Sequence, residues 1–184
     1  STAGIELFRG DLRPWDASSY GFGTAIVAAL ERGVSRLILG IGSSASTDGG
    51  AGLLAALGAR IDGEARGGAR TLTGITGVDL AGVRPLPAGG VTVLTDVTNP
   101  LLGEHGSAAV FGPQKGFAPQ EIVGVDGALR SFAALLSADP ARPGAGAAGG
   151  IGFALAAWGA QLVPGAEAVA ALIGLGPAAD AATW

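Results

Sequence analysis

Residues 35–60 read SRLILGIGSSASTDGGAGLLAALGAR, and this stretch indicates the fold class. The apolar run SRLILGIG, residues 35–42, is short, has branched side chains and is bounded by glycine, which is typical of a buried parallel strand. Residues 49–60 predict a helix that follows the strand. Between the two lies a loop with four hydroxyls, one carboxylate and two adjacent glycines. A strand followed by a helix is the repeating unit of an α/β fold.

Elements of the same two kinds are predicted on both sides of this unit. Residues 19–33 carry apolar side chains at helical spacing and end at Gly33, a helix stop signal. Residues 89–97, GGVTVLTDV, have the alternation of a strand. Residues 118–138 predict an amphipathic helix with Pro119 near its start.

The remaining segments carry weaker signals. Residues 60–90 predict a loop with short extended pieces, of which residues 74–80 are the best candidate. The tail predicts two helices, over residues 149–162 and 166–174. No internal repeat or low-complexity linker divides the chain. We therefore predict a single α/β domain over residues 1–184, with a mainly parallel sheet and flanking helices.

Composition excludes several classes of protein and of site. The 184 residues include 34 glycines and are 48% hydrophobic, which favours a globular core over disorder. Cysteine is absent, which excludes disulfides, a thiol nucleophile and cysteine metal sites. A net charge of −4 and scattered arginines give no positive stripe for nucleic acid. Lys115 is the single lysine, and His105 is the single histidine, which excludes a multi-histidine metal site.

An uncharged segment between Arg142 and Glu167 is long enough to cross a bilayer. It carries a proline near each end, several glycines and a glutamine, and it lacks flanking clusters of basic residues. We therefore expect a buried, tightly packed helix here and no membrane partner.

The polar loop after the first strand has the features of an anion site. In open α/β sheets, ligands bind at the carboxyl ends of the strands, where free N–H groups begin the next helix. An ordinary helix N-cap is the alternative, and Ser46, Thr47 and Asp48 all suit that role. No Walker A motif occurs in the chain, so a P-loop is excluded. The candidate anion ligands are Ser43, Ser44, Thr47, Gly49 and Gly50.

The loop over residues 95–116 follows the second strand and carries further candidates. Asp96 stands at the strand end, where a carboxylate suits Mg²⁺ or accepts a proton from a substrate hydroxyl. An Asx-turn or a cap is the alternative for Asp96. Lys115 suits a phosphate, with a solvated surface lysine as the alternative. Asn99 precedes Pro100 and favours a turn.

Two other features of the sequence have simpler interpretations than a functional site. Residues 144–150, GAGAAGG, match G-x-G-x-x-G, but no strand precedes them, so we expect no dinucleotide site. A backbone nest or close packing of helices is the alternative for this run. His105 lies between Glu104 and Gly106, where a loop hydrogen bond is expected in preference to catalysis.

Three stretches together resemble the bacterial glycerate kinase family. LILGIGSSASTDGGAGLLAALGAR is similar to the family's IGGSATNDGGAGMLxALG, and TDVTNPLLGEHGSAAVFGPQKG to its CDVxNPLxGxxGAAxxFGPQKGA. GAGAAGGIGFAL is similar to GAGAAGGLG, and SYGFGTAIVAAL to TSYGTGELIxxAL. The motifs occur in order over nearly the whole chain, and the second is long and specific.

The resemblance implies ATP-dependent phosphorylation of D-glycerate with Mg²⁺ in the cytoplasm. Family members have two α/β domains, one inserted in the other, with the active site in the cleft between them. This chain resembles the inserted, flavodoxin-like domain. Its expected partner is therefore the second domain of the same enzyme, with a DSFKG-type motif upstream and a TGEG motif downstream.

The resemblance also suggests roles for single residues. Asp48 and Asp96 are the candidate catalytic residues, as metal ligands or as acceptors of the glycerate hydroxyl proton, and Asp96 is the candidate metal ligand. Ser43 stands where the family usually has glycine, and Thr47 where it usually has asparagine. The candidate ligands of glycerate or phosphate are Ser43, Ser44, Thr47, Gly49, Gly50, Asn99, Gln114 and Lys115.

Two other functions remain open at this point. One is a catalytically silent binding or interaction domain. The other is a nucleotide- or sugar-phosphate-binding module with a different activity.

Overall fold

The computed structural model describes residues 4–8, 10–175 and 178, which fold into strands, helices and connecting loops. The strands are β1 (Leu37–Gly40), β2 (Arg60–Asp62), β3 (Gly77–Asp79), β4 (Val91–Thr95) and β5 (Gln161–Pro164). The α-helices are α1 (Tyr20–Glu31), α2 (Ala51–Leu57), α3 (Ser107–Lys115), α4 (Ile122–Ala133), α5 (Ile151–Trp158) and α6 (Gly165–Leu172).

The central sheet has three parallel strands in the order β1-β4-β5. Leu39 of β1 lies opposite Val93 of β4, which in turn lies opposite Leu162 of β5. Strands β2 and β3 form a separate antiparallel pair in which Ile61 lies opposite Val78. The predicted α/β class with a mainly parallel sheet is confirmed.

The core lies between the sheet and the helices. Strand β4 buries Val91 and Val93, and the alternation predicted from its sequence places these two side chains on one face. Most of the largest side chains of this core come from helices α2, α4 and α5. They include Leu53, Leu54, Leu57, Leu129, Phe132, Phe153 and Leu155, each fully buried.

The sequence-based boundaries are wrong in the second half of the chain. The predicted loop over residues 95–116 contains helix α3. The predicted helix over residues 149–162 is the shorter α5, which ends at Gly159 in the left-handed conformation (φ 102°), and the next residues form β5. The predicted helix over residues 118–138 begins as a 3₁₀ turn and its α-helical part ends at Ala133.

Helix α5 occupies the uncharged segment of the chain. Its residues Ile151, Phe153 and Leu155 are buried, which confirms the prediction of a tightly packed core helix. Among residues 4–8, 10–175 and 178, no helix combines the length and the apolar character needed to cross a membrane.

Candidate active site

A cavity of about 330 Å³ lies at the carboxyl ends of β1 and β4. It joins the two polar loops predicted from the sequence, because parallel strands end at the same edge of a sheet. Its apolar wall includes Ile41, Leu94 and Phe111. Its polar lining comes from Ser43, Ser44, Thr95, Asp96, Gln114 and Lys115.

Lys115 is the last residue of α3 and lies at the wall of this cavity. Its side chain is 3% exposed, and its Nζ donates a hydrogen bond to the carbonyl oxygen of Ser46. Burial lowers the pKa of Lys115 to about 8, and the nearby charge of Asp48 opposes that shift. The alternative of a solvated surface lysine is therefore wrong.

Asp48 lies behind the cavity and does not line it. One carboxylate oxygen accepts hydrogen bonds from the N–H and the Oγ of Ser19, both at 2.8 Å, and lies 3.4 Å from the Oγ of Ser18. The backbone N–H groups of Gly50 (3.1 Å) and Gly52 (3.4 Å) also donate to this carboxylate. Burial raises the pKa of Asp48, and the donated hydrogen bonds oppose the shift. The carboxylate thus joins the start of α1 to the start of α2.

Asp96 follows β4 directly and its side chain is exposed at the cavity. Its Oδ1 accepts a hydrogen bond of 3.0 Å from the N–H of Gly165, the first residue of α6. One oxygen therefore has a capping role, as the alternative interpretation expected. The carboxylate also faces the cavity, whose lining includes the ammonium group of Lys115 and the hydroxyls of Ser43 and Ser44.

Asp96 suits Mg²⁺ by the chemistry of its donor atoms. Within the part of the chain that the structure describes, no three acidic or histidine side chains form a metal cluster. Mg²⁺ commonly keeps several waters and takes one or two carboxylates together with substrate phosphates. A single exposed carboxylate beside a cavity that is also lined by a lysine, two serines and a glutamine fits that mode of binding.

The loop after β1 has a strained backbone at the cavity. Ser43 has φ +57°, in the left-handed region that favours glycine. Its carbonyl oxygen accepts a hydrogen bond from the N–H of Ile5. The Oγ of Ser44 lies 3.0 Å from the Oγ of Ser46 and accepts from the N–H of Ser46 at 3.2 Å. Glycine would adopt this conformation at a lower cost than serine.

Gly49 and Gly50 lie inside the protein, away from the cavity lining. Both have left-handed backbones (φ 63° and 80°), and the N–H of Gly49 donates to the carbonyl of Gly149 at 2.9 Å. The N–H of Gly50 is occupied by Asp48. Binding an anion through these two amides would require both hydrogen bonds to break.

The glycine run at residues 144–150 packs directly against the loop after β1. A Cβ at Gly149 would lie 1.9 Å from the carbonyl oxygen of Ser46, and one at Gly150 would lie 2.5 Å from the Cα of Gly49. These distances leave no room for a side chain. The run therefore provides close packing, one of the two roles expected from its sequence.

Three other predicted residues lie apart from the cavity lining. Thr47 is fully buried, and its Oγ1 has no hydrogen-bond partner among the residues that the structure describes. The Nδ2 of Asn99 donates to the backbone carbonyl of His105 at 2.8 Å, so Asn99 supports a turn. The imidazole of His105 is exposed, 3.5 Å from the carboxylate of Glu104.

Sequence reasoning named none of the apolar residues that line the cavity, among them Phe111, Ala147 and Ala148. Ala148 has φ +55°, an unusual conformation for alanine. The one indication of this conformation in the sequence is that Ala148 lies inside the glycine-rich run of residues 144–150. Phe111 lies in α3, a helix that the sequence did not predict. Without that helix, the sequence could not indicate that the side chain of Phe111 lines the cavity.

The chain belongs to the glycerate kinase family, whose model matches residues 1–184. The glycerate 2-kinase of Escherichia coli (strain K12) is 41% identical over 187 residues, covering 95% of this chain and 49% of that protein. The glycerate kinase of Halalkalibacterium halodurans is 41% identical over 179 residues, covering 91% of this chain and 47% of that protein.

A solved crystal structure assigned to glycerate kinase 2 of Salmonella typhimurium LT2 has the same fold. It superimposes with a TM-score of 0.85 at 43% sequence identity, over 91% of this chain and 49% of that one. The chain thus spans about half the length of the relatives that it matches.

Proposed function

We propose that this chain is one domain of a two-domain glycerate kinase that transfers a phosphoryl group from ATP to a hydroxyl of D-glycerate in the cytoplasm. Family membership supports the reaction class. The observation that carries the proposal is that Lys115, the single lysine, lies buried in the wall of the cavity that also exposes Asp96. Phosphoryl transfer depends on positioning and on neutralising charge, and this pair supplies a cation and a carboxylate.

The polar wall of the cavity is proposed to hold the anionic groups of the substrates. The ammonium of Lys115 supplies positive charge where water is largely excluded, so its attraction for a phosphate or carboxylate is stronger than at the surface. The side chains of Ser43, Ser44 and Gln114 add neutral donors around it. These donors would fix the orientation of the glycerate carboxylate or of a phosphate.

Asp96 is proposed as the acceptor of the glycerate hydroxyl proton or as the protein ligand of Mg²⁺. When bound, the metal would neutralise phosphate charge during transfer. The hydrogen bond from Gly165 to Oδ1 holds the carboxylate in one orientation at the end of β4. In either role, one carboxylate oxygen would remain anchored to the protein.

Asp48 is proposed to act indirectly. Its carboxylate holds the loop after β1 through Ser19, Gly50 and Gly52, and its charge favours the protonated form of Lys115. A fully buried group with these partners would meet substrate only if the loop rearranged. We therefore propose that Asp48 positions Lys115 and the loop after β1 and does not contact the substrate.

The second domain is proposed to close the cavity from the other side. Relatives of about twice this length support that part of the proposal. A catalytically silent binding domain is not favoured, because the relatives that the chain matches are named as kinases.

The test is an assay of the full-length gene product with D-glycerate and ATP, with phosphoglycerate detected by ³¹P NMR. Asp96→Asn should lower kcat/KM by at least about 100-fold, the scale of a lost acid–base or charge-stabilising group. Asp139→Asn is the matched control, because Asp139 is also exposed and accepts one backbone hydrogen bond, from the N–H of Ala141. A wild-type protein that forms no phosphoglycerate would contradict the proposal.

A further inference from the structure

A second cavity, of about 540 Å³, lies between α6 and the carboxyl edge of the sheet. It adjoins the 330 Å³ cavity of the candidate active site, which is called the polar cavity here because Lys115, Gln114 and two serines line it. The two share Ile41, Gly42, Leu94 and Asp96 in their linings. Asp96 therefore stands between a polar space and a second space of different character.

The walls of this second cavity are apolar. Its lining includes Val169 and Ala170 of α6, Ile173 directly after α6, and the glycines at the end of β1. Asp96 is the one ionisable side chain among its lining residues in the part of the chain that the structure describes. Val169 is 42% exposed and Ile173 is 69% exposed, so this helix presents apolar surface to the cavity instead of burying it in the core.

We propose that the apolar cavity receives the nucleoside of the phosphoryl donor, with the phosphates extending past Asp96 into the polar cavity. This inference rests on the proposed function. A volume of 540 Å³ lies in the range of small-molecule sites, which are mostly apolar with few polar groups. A purine presents two apolar faces and suits such walls, whereas glycerate is a small polar anion that apolar walls would leave without hydrogen-bond partners.

The division of the two cavities also matches the chemistry of a nucleoside triphosphate. The cation, both serine hydroxyls and the glutamine amide lie in the polar cavity, where the phosphates would need them. The second cavity offers none of these groups. One ligand with an apolar end and an anionic end would satisfy both spaces at once.

The first experiment uses adenosine, which is neutral and binds without catalysis. Saturation-transfer NMR of the full-length gene product should show adenosine binding in the wild type and in Ala171→Glu. The signal should be lost in Ala170→Glu, which places a charge in the apolar cavity. Ala171 is exposed on the same helix outside both cavities, so its variant controls for net charge. Thermal unfolding of each variant checks that it folds.

The second readout separates this inference from the proposed function. In glycerate kinase assays, Ala170→Glu should raise the KM for ATP by at least tenfold with the KM for glycerate changed less than twofold, and Val169→Ala should raise the KM for ATP several-fold. Active enzyme with an unchanged KM for ATP in both variants, or with a raised KM for glycerate, would overturn the nucleoside site alone. Absent adenosine binding in the wild type would also overturn it. Adenosine binding without glycerate phosphorylation would instead contradict the proposed function.

Discussion

The ammonium group of Lys115 donates a hydrogen bond to the backbone carbonyl of Ser46, which joins the end of α3 to the loop after β1. The two residues are 69 positions apart in the sequence. This contact holds the single lysine inside the protein, where desolvation penalises its charge. The position of the cation at the cavity therefore depends on the packing of the end of α3 against the loop after β1, two segments that are far apart in the sequence.

The first prediction concerns the pH dependence of stability. The pKa of Lys115 is about 8 in the folded protein and 10.5 as its ordinary value, so between these pH values the unfolded chain binds a proton that the folded chain lacks. The free energy of unfolding contributed by this lysine should therefore rise with pH across that window, by about 3 kcal/mol in total. Lys115→Met removes this contribution.

The measurement is urea unfolding of the wild type and of Lys115→Met at several pH values from 7.5 to 10.5. The difference between the two proteins isolates the lysine from the tyrosine and arginine groups, which both share. As pH rises, the unfolding free energy of the wild type should increase relative to that of the variant. Parallel curves would show that Lys115 keeps an ordinary pKa and is not buried as a cation.

The second prediction separates the two candidate aspartates by stability. Asp48→Asn places an amide NH₂ among the N–H and O–H donors that Ser18, Ser19, Gly50 and Gly52 direct at the carboxylate. The variant should lose about 2–4 kcal/mol of unfolding free energy, because buried charged hydrogen bonds are lost and donors are left unpaired. Denaturant unfolding at pH 7 measures the loss.

Asp96→Asn is the comparison for that experiment, since its side chain is exposed and accepts a single hydrogen bond from Gly165. Its unfolding free energy should change by less than about 1 kcal/mol. Equal losses in the two variants would contradict the assignment of Asp48 to the loop framework and of Asp96 to the cavity surface.

The third prediction concerns the strained serine at the cavity. Ser43 has φ +57°, a conformation that costs a residue with a Cβ about 1–2 kcal/mol. Ser43→Gly should raise the unfolding free energy by roughly 0.5–1 kcal/mol after the greater flexibility of glycine in the unfolded chain is allowed for. Ser44→Gly is the control: Ser44 lies outside the set of positive-φ residues, and the change removes its side-chain hydrogen bonds. A stabilised Ser44→Gly with an unchanged Ser43→Gly would refute the argument.

The two strands that end at the cavity, β1 and β4, were predictable from local patterns in the sequence. Short apolar runs bounded by glycine give β1, and alternation gives β4. Because both are parallel strands, the convergence of their loops at one cavity followed from topology. The apolar helix α5 was predictable from its composition, as was its burial.

Other parts depended on contacts that no local pattern carries. Helix α3 contains Gly112 and Pro113, which weaken a helical signal, and β5 is four residues long and ends at Pro164. The burial of Lys115 and the inward direction of Asp48 result from partners far along the chain, Ser46 and Ser19. A polar residue in a loop after a strand therefore marks the neighbourhood of a site, while its direction is set by tertiary packing.

The last prediction tests the contact between the glycine run and the loop after β1. Gly149 has φ +75°, and an added Cβ would lie 1.9 Å from the carbonyl oxygen of Ser46, the same atom that accepts from Lys115. Gly149→Ala should therefore cost at least about 3 kcal/mol of unfolding free energy through steric overlap and backbone strain. Displacement of the Ser46 carbonyl should also weaken its hydrogen bond with the ammonium group of Lys115.

The matched control is Gly124→Ala in helix α4, where an added Cβ meets open space. That change should stabilise the protein by up to about 1 kcal/mol, because alanine favours a helix over glycine. Denaturant unfolding gives both values, and the chemical shift of the lysine Nζ reports its environment directly, since the chain has one lysine. A tolerated Gly149→Ala with an unchanged lysine signal would mean that the two loops do not pack as closely as the distances indicate.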